Sequence, residues 1–227
     1  MNPQSKSWKF WSREPYPVSC PTYQCGPNFG TTEEPGSSMW CAALLDPIRE
    51  SLKTPFILLD WGCGDGRLFN FLSKRFKMFR YYGLERPGVF GTSCVKAAQE
   101  SFGHDLRGAF GVYDSILESC AIEAAQVAVL GSVATHIPFP DFEAVMKRLL
   151  PILMRGGVVV SSFFIEEKYE IKNGTCYGHD DCWGWVSYTQ AQINDLCRKM
   201  GLVSKEGESF VTMGCTHRIL RFQKGPA

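Results

Sequence analysis

The chain has 227 residues, 44% of them hydrophobic, which suits one ordinary domain with a sizeable core. Lysine and arginine number 24 against 23 acids, so the net charge is near zero and gives no electrostatic ground for a nucleic-acid partner. No stretch is long and apolar enough to cross a bilayer, and the first residues, MNPQSKSWKFWSREPYP, lack a signal-peptide core, so no membrane and a cytoplasmic location are expected.

In that compartment the 10 cysteines are expected mostly as thiols. Residues 1–37 are rich in Pro, Gly, Ser and aromatics and read as an irregular arm packed on the domain that follows, 38–227. A helix is predicted from Ser38 to Lys53, with Trp40, Ala43, Leu44 and Ile48 on one side, although Pro47 removes a helical hydrogen bond. Then apolar runs alternate with helical periodicity. Strands are predicted at FILLDW (56–61), RYYGLE (80–85), RGAFGVY (107–113), QVAVLGS (126–132) and GVVVSSFF (157–164). Helices are predicted at 66–77, 89–102, after Ser115 (a capping box with Glu118), at 139–154, and after Thr189 (a capping box with Gln192) up to Gly201. The basic run Lys74–Arg80 reads as the solvated end of a helix. A polar insert, 166–187, is expected as a loop, and 210–223 as two strands joined near Gly214 that close the sheet at one edge. Strands alternating with helices imply a parallel sheet covered on both faces, with ligands beyond the carboxyl ends of its strands.

The glycine-rich stretch Asp60-Trp61-Gly62-Cys63-Gly64-Asp65-Gly66 falls at such an end. A dinucleotide fingerprint would place its third glycine where Arg67 stands, and no Gly-Lys-Ser/Thr follows for a phosphate loop. Asp60 and Asp65 would repel phosphate and favour a cationic or neutral ligand.

Acid-x-Gly-x-Gly-x-Gly after a first strand resembles motif I of the class I S-adenosylmethionine-dependent methyltransferases, and the element order from about 38 to 223 resembles that family too. The resemblance implies a Rossmann-like α/β fold: a seven-stranded, mostly parallel sheet with a reversed last strand in a C-terminal antiparallel hairpin, and helices on both faces. It implies S-adenosylmethionine as cofactor and S-adenosylhomocysteine as product. Matching positions imply that Asp60, Gly62, Cys63, Gly64 and Gly66 form the cofactor turn. Glu85 with Arg86 would lie at the ribose hydroxyls, and Asp114 with Ser115 near the adenine. VAVLGSVATHIP is similar to the family segment after strand four and adds Gly131 and Ser132; LLPILMRGGVVVSSFF is similar to its approach to strand five. Two departures bear on substrate. No Asn-Pro-Pro-Tyr or Asp-Pro-Pro-Tyr is present, which disfavours amino methylation of DNA bases, and the Lys-Asp-Lys-Glu set of cap ribose methyltransferases is not recognisable.

The expected reaction is methyl transfer to a small or medium-sized acceptor through oxygen or nitrogen. The alternatives are an RNA or protein methyltransferase, or a non-catalytic binding or scaffold protein on the same fold. If the acceptor is a hydroxyl, a base assists; His136, just past strand four, is the candidate, its alternative being to cap or pack the turn before Pro138. His104 and His217 are placed less well, His217 as a structural residue. Trp183, Trp185 and Tyr188 are expected to wall the acceptor pocket, and Tyr16 and Tyr23 of the arm, with Trp40, to cover the other side; ordinary packing is the alternative for each. Cys176, His179 and Cys182 have metal-type spacing but no local fourth ligand, and no metal is expected. The acceptor and the oligomeric state are not legible.

Overall fold

A computed structural model describes residues 35–52, 55–87, 89–113, 125–176, 179–207, 209–212 and 215–225. The arm with Tyr16 and Tyr23, and the segment with Asp114, Ser115 and the Glu118 capping box, lie outside the described residues.

Helix α1 (Pro35–Leu45) passes into a 3-10 segment (Asp46–Leu52). The change falls where Pro47 has no N–H to offer the preceding turn. The chain then runs β1 (Phe56–Trp61), α2 (Arg67–Ser73), β2 (Phe79–Glu85), α3 (Val89–Phe102), β3 (Gly108–Val112), β4 (Ala125–Leu130), α4 (Phe139–Leu149) and β5 (Leu153–Ile165). After these come β6 (Glu170–Cys176), β7 (His179–Tyr188), α5 (Gln190–Met200), β8 (Leu202–Glu206), β9 (Phe210–Thr212) and β10 (Cys215–Lys224). The Thr189–Gln192 capping box forms as predicted, and Gly201 ends α5 in the left-handed conformation.

The main sheet has the order β3-β2-β1-β4-β5-β10-β8. Its first five strands are parallel, and β10 runs antiparallel to both neighbours. The Rossmann-like, mostly parallel seven-stranded sheet is therefore present. Period-two alternation divides the core. Leu58, Val127, Val129, Val158 and Val160 face α1, α2 and α3; Leu59, Ala128, Leu130 and Val159 face α4 and α5.

The structure departs from the expected elements at four places. The C-terminal strands do not simply close one edge: β9 and β10 pair as a hairpin, but β10 inserts between β5 and β8. Strand β8 was not predicted; LVSKE is half exposed and carries Lys205 and Glu206, a charged edge without an apolar run. Helix α4 ends at Leu149 rather than Met154, because Pro151 cannot continue it, and β5 starts at Leu153 with an irregular register against β4. The insert at 166–187 is a β-hairpin, not a loop: β6 and β7 pair antiparallel from Glu170↔Ser187 to Cys176↔His179. It joins the rest of the sheet where Phe164 and Ile165 of β5 pair with Ser187 and Tyr188.

Candidate functional site

Strand β1 lies between β2 and β4, so connections leave it in both directions and open a crevice beyond its carboxyl end. Residues 62–66 turn there. The amides of Gly62 and Cys63 both donate to Leu84 O, at 2.8 and 3.1 Å, and Gly66 N donates to Cys63 O at 3.1 Å. Gly62, Gly64 and Gly66 all have positive φ, at 84°, 55° and 93°. A Cβ added at Gly64 would meet nothing within 4 Å. The middle of the turn therefore presents bare backbone to open space, in a conformation that L side chains rarely adopt.

Glu85 ends β2 beside this turn and is buried. Its Oε2 accepts from Gly64 N at 3.0 Å and its Oε1 from Arg86 N at 2.9 Å. Burial raises its pKa, against the two amides and the Arg86 charge. A carboxylate has about four lone-pair sites, so each oxygen keeps capacity for a ligand hydroxyl. Arg86 follows, half-buried. The Cys63 thiol is buried, donates weakly to Gly64 O at 3.4 Å and is pushed well above its ordinary pKa by burial.

Two further acids flank the turn. Asp60 is buried and accepts the Tyr81 hydroxyl at 2.5 Å; burial lifts its pKa to about 7, against the Tyr81 bond. Asp65 is lifted by burial to about 6, with the Arg67 charge opposing, and its buried Oδ2 has no hydrogen-bond partner among the described residues. Such a turn favours a positive group nearby.

Asp60 ionises near 3.8 when unperturbed and near 7 in the fold, so between those values the folded state binds more protons and stability falls as pH rises. Asp60→Asn should remove that share of the slope. Urea titrations at a series of pH values should show the variant gaining on the wild type from about pH 4 to about pH 7, then a constant difference, with a total on the order of 2–4 kcal/mol.

The opposite wall of the crevice follows β4. A Cβ on Gly131 would lie 2.5 Å from Trp40 Cη2, so the Trp40 ring of α1 rests on bare backbone. Ser132 has φ 57°, left-handed for a non-glycine residue. Two bonds hold it: Ser132 N donates to Ser162 Oγ at 2.8 Å, and Thr135 Oγ1 donates to Ser132 O at 2.7 Å. Ser161 Oγ donates to Leu130 O at 3.1 Å. Ser161 and Ser162, two serines inside the apolar run VVVSSFF, thus tie the end of β4 and its turn to β5.

His136 is half-buried in the same turn, its amide donating to Val133 O at 3.0 Å. His217, on β10, is buried with its ring centroid 4.5 Å from that of Phe164. Burial, and then the nearby His136 imidazole, lower its pKa to about 4, so it is neutral at pH 7. His104 is exposed beyond α3. Tyr188 lies in the core, wholly buried, with its hydroxyl donating to Ile137 O at 2.7 Å; it fixes the 131–138 turn and leaves no face for an acceptor. Val186 N donates to Thr135 O at 2.9 Å, so the hairpin's base adjoins the His136 turn. The backbones of Trp183 and Trp185 pair with Gly174 and Lys172 further along it. Cys176 and His179 are register partners on the hairpin, and Cys182 lies on β7.

No protein-family model matches the chain, and a comparison with curated proteins finds no match. Solved structures do match. The magnesium protoporphyrin IX methyltransferase of Synechocystis PCC 6803 with bound S-adenosylmethionine superposes with a TM-score of 0.62 at 16% identity, over 98% of this chain and 93% of that one. The 1,6-didemethyltoxoflavin-N1-methyltransferase of Burkholderia thailandensis, with bound 1,6-didemethyltoxoflavin and S-adenosylhomocysteine, gives 0.61 at 14%, over 86% and 80%. A glycopeptide N-methyltransferase gives 0.61 at 15%, over 82% and 90%. The fold is thus the one these methyltransferases share.

Proposed function

We propose that this chain transfers the methyl group of S-adenosylmethionine to a small or medium-sized acceptor, through oxygen or nitrogen. The observation that carries the reading is the joint placement of Gly64 and Glu85. Bare backbone with open space above it lies next to a buried carboxylate with spare acceptor capacity, at the switch point of the sheet. The unpartnered Asp65 oxygen adds a place for a polar, positive group. These features fit a nucleoside carrying a cationic sulfonium. They do not fit a pyrophosphate, which three acids would repel. The fold neighbours solved with S-adenosylmethionine or S-adenosylhomocysteine support the same assignment.

In this reading Asp60, Gly62, Cys63, Gly64 and Gly66 form the cradle, Glu85 accepts from ribose hydroxyls beside Arg86, and Gly131 and Ser132 form the facing wall. Asp114 and Ser115 are the expected adenine contacts. When bound, S-adenosylmethionine supplies an activated methyl group, so the chain's own task is alignment and exclusion of water. His136 is the base that takes the acceptor proton where one must leave. Trp183 and Trp185 of the hairpin wall the acceptor side, and the arm with Tyr16 and Tyr23 covers the cofactor.

The test is calorimetric titration with S-adenosylmethionine and S-adenosylhomocysteine, with NAD and ATP as controls, followed by transfer of labelled methyl to candidate acceptors. Micromolar binding of the two sulfur nucleosides alone is expected. Folded protein that binds neither would overturn the assignment and leave a binding or scaffold role.

A further inference from the structure

Arg67 opens α2 directly after the glycine turn. Its guanidinium carbon lies 5.1 Å from the centroid of the Trp40 ring. Among the described residues it makes no hydrogen bond or ion pair. The tip of the same Trp40 ring rests on Gly131, at the end of β4. Trp40 thus braces a cation at the crevice, between α1, the start of α2 and the β4 turn. The Arg67 charge offsets part of the burial cost of Asp65 and, less, of Asp60, but it is bonded to neither acid.

The proposed reading gives the crevice a direction, and this inference rests on it. With the ribose at Glu85 on β2 and the adenine toward β3, the amino-acid end of the cofactor points back across β1 toward β4. That end carries an ammonium and a carboxylate. The turn offers the acids Asp60 and Asp65 for the first, whereas the second needs a cation. Arg86 follows β2 and belongs to the ribose end; Arg67 stands toward the Trp40 and Gly131 side.

We infer that Arg67, braced on the Trp40 ring, binds the amino-acid carboxylate of S-adenosylmethionine and so selects the complete cofactor over the bare nucleoside. A guanidinium matches a carboxylate with two parallel N–H donors. Its placement on an aromatic face limits the freedom it must lose when the ligand arrives.

The experiment compares wild type, Arg67→Gln and Arg67→Lys by calorimetry with two ligands, alongside melting curves without ligand. S-adenosylhomocysteine carries the carboxylate; 5′-methylthioadenosine keeps the nucleoside and sulfur but lacks the amino-acid part. Arg67→Gln should weaken S-adenosylhomocysteine about 10- to 100-fold, the range of a lost hydrogen bond to a charged group. It should leave 5′-methylthioadenosine within about twofold. Arg67→Lys keeps the charge, protects the experiment if the glutamine variant folds poorly, and should fall between the other two. Equal loss for both ligands would mean that Arg67 only supports the turn, and no loss for either would remove it from the site; each result overturns the inference while the wild type still binds. A wild type that binds neither ligand overturns the cofactor assignment itself.

Discussion

Gly64→Asn should abolish cofactor binding while leaving the protein folded. Asparagine is among the few L residues that tolerate the left-handed region, and Gly64 sits there with φ 55°. A Cβ at this position meets nothing within 4 Å, so the new side chain enters open space without disturbing the core. That open space is where the cofactor is proposed to approach the backbone. Binding of S-adenosylhomocysteine should fall by at least about 100-fold, while the ligand-free melting temperature shifts by no more than a few degrees, as for substitutions that create no cavity, clash or buried unpaired group. Binding retained at wild-type strength would mean that the ligand does not lie on this turn. The same substitution separates the enzyme from a scaffold: a cellular role that survives it does not depend on the cofactor.

Glu85→Gln should damage both binding and the turn itself. Each carboxylate oxygen accepts from one backbone amide, Gly64 N to Oε2 and Arg86 N to Oε1. Glutamine offers one oxygen, so its NH2 group must face one of these N–H donors in a buried place. The unpaired donor costs about 1–3 kcal/mol. On the ligand side, one of two acceptors for the ribose hydroxyls is lost. Affinity for S-adenosylhomocysteine should drop about 100-fold, and the ligand-free melting temperature by several degrees. Unchanged affinity together with a lowered melting temperature would make Glu85 a support of the turn and not a ligand contact.

The central strands were legible because parallel strands buried on both faces read as short apolar runs, and β1, β2, β4 and β5 read that way. The glycine turn and Glu85 stood out through the resemblance to motif I and to the acid that ends the second strand in that family, and the fold sets the two side by side at the carboxyl ends of β1 and β2. Contacts between distant segments were not legible. The Tyr81 hydroxyl on Asp60 depends on β1 and β2 lying side by side in one register. His217 comes near His136 because β10 inserts beside β5, whereas the sequence suggested an edge hairpin. In the sequence Arg67 stands only where a dinucleotide glycine would; its position over Trp40 needs the packing of α1 against α2. Strand β8 and the β6–β7 hairpin escaped because their polar residues hide the period-two pattern.

The β6–β7 hairpin has a consequence for how this protein can diverge. It joins the main sheet through two register pairs at the end of β5, and one amide from its base reaches the His136 turn. Its other strand pairing is internal. Insertions, deletions or wholesale replacement beyond Val186 therefore leave the seven-stranded framework and the glycine turn without a broken ladder. Under the proposed function, in which the hairpin borders the acceptor and the glycine turn holds the cofactor, the two roles sit on parts of the chain that can vary separately.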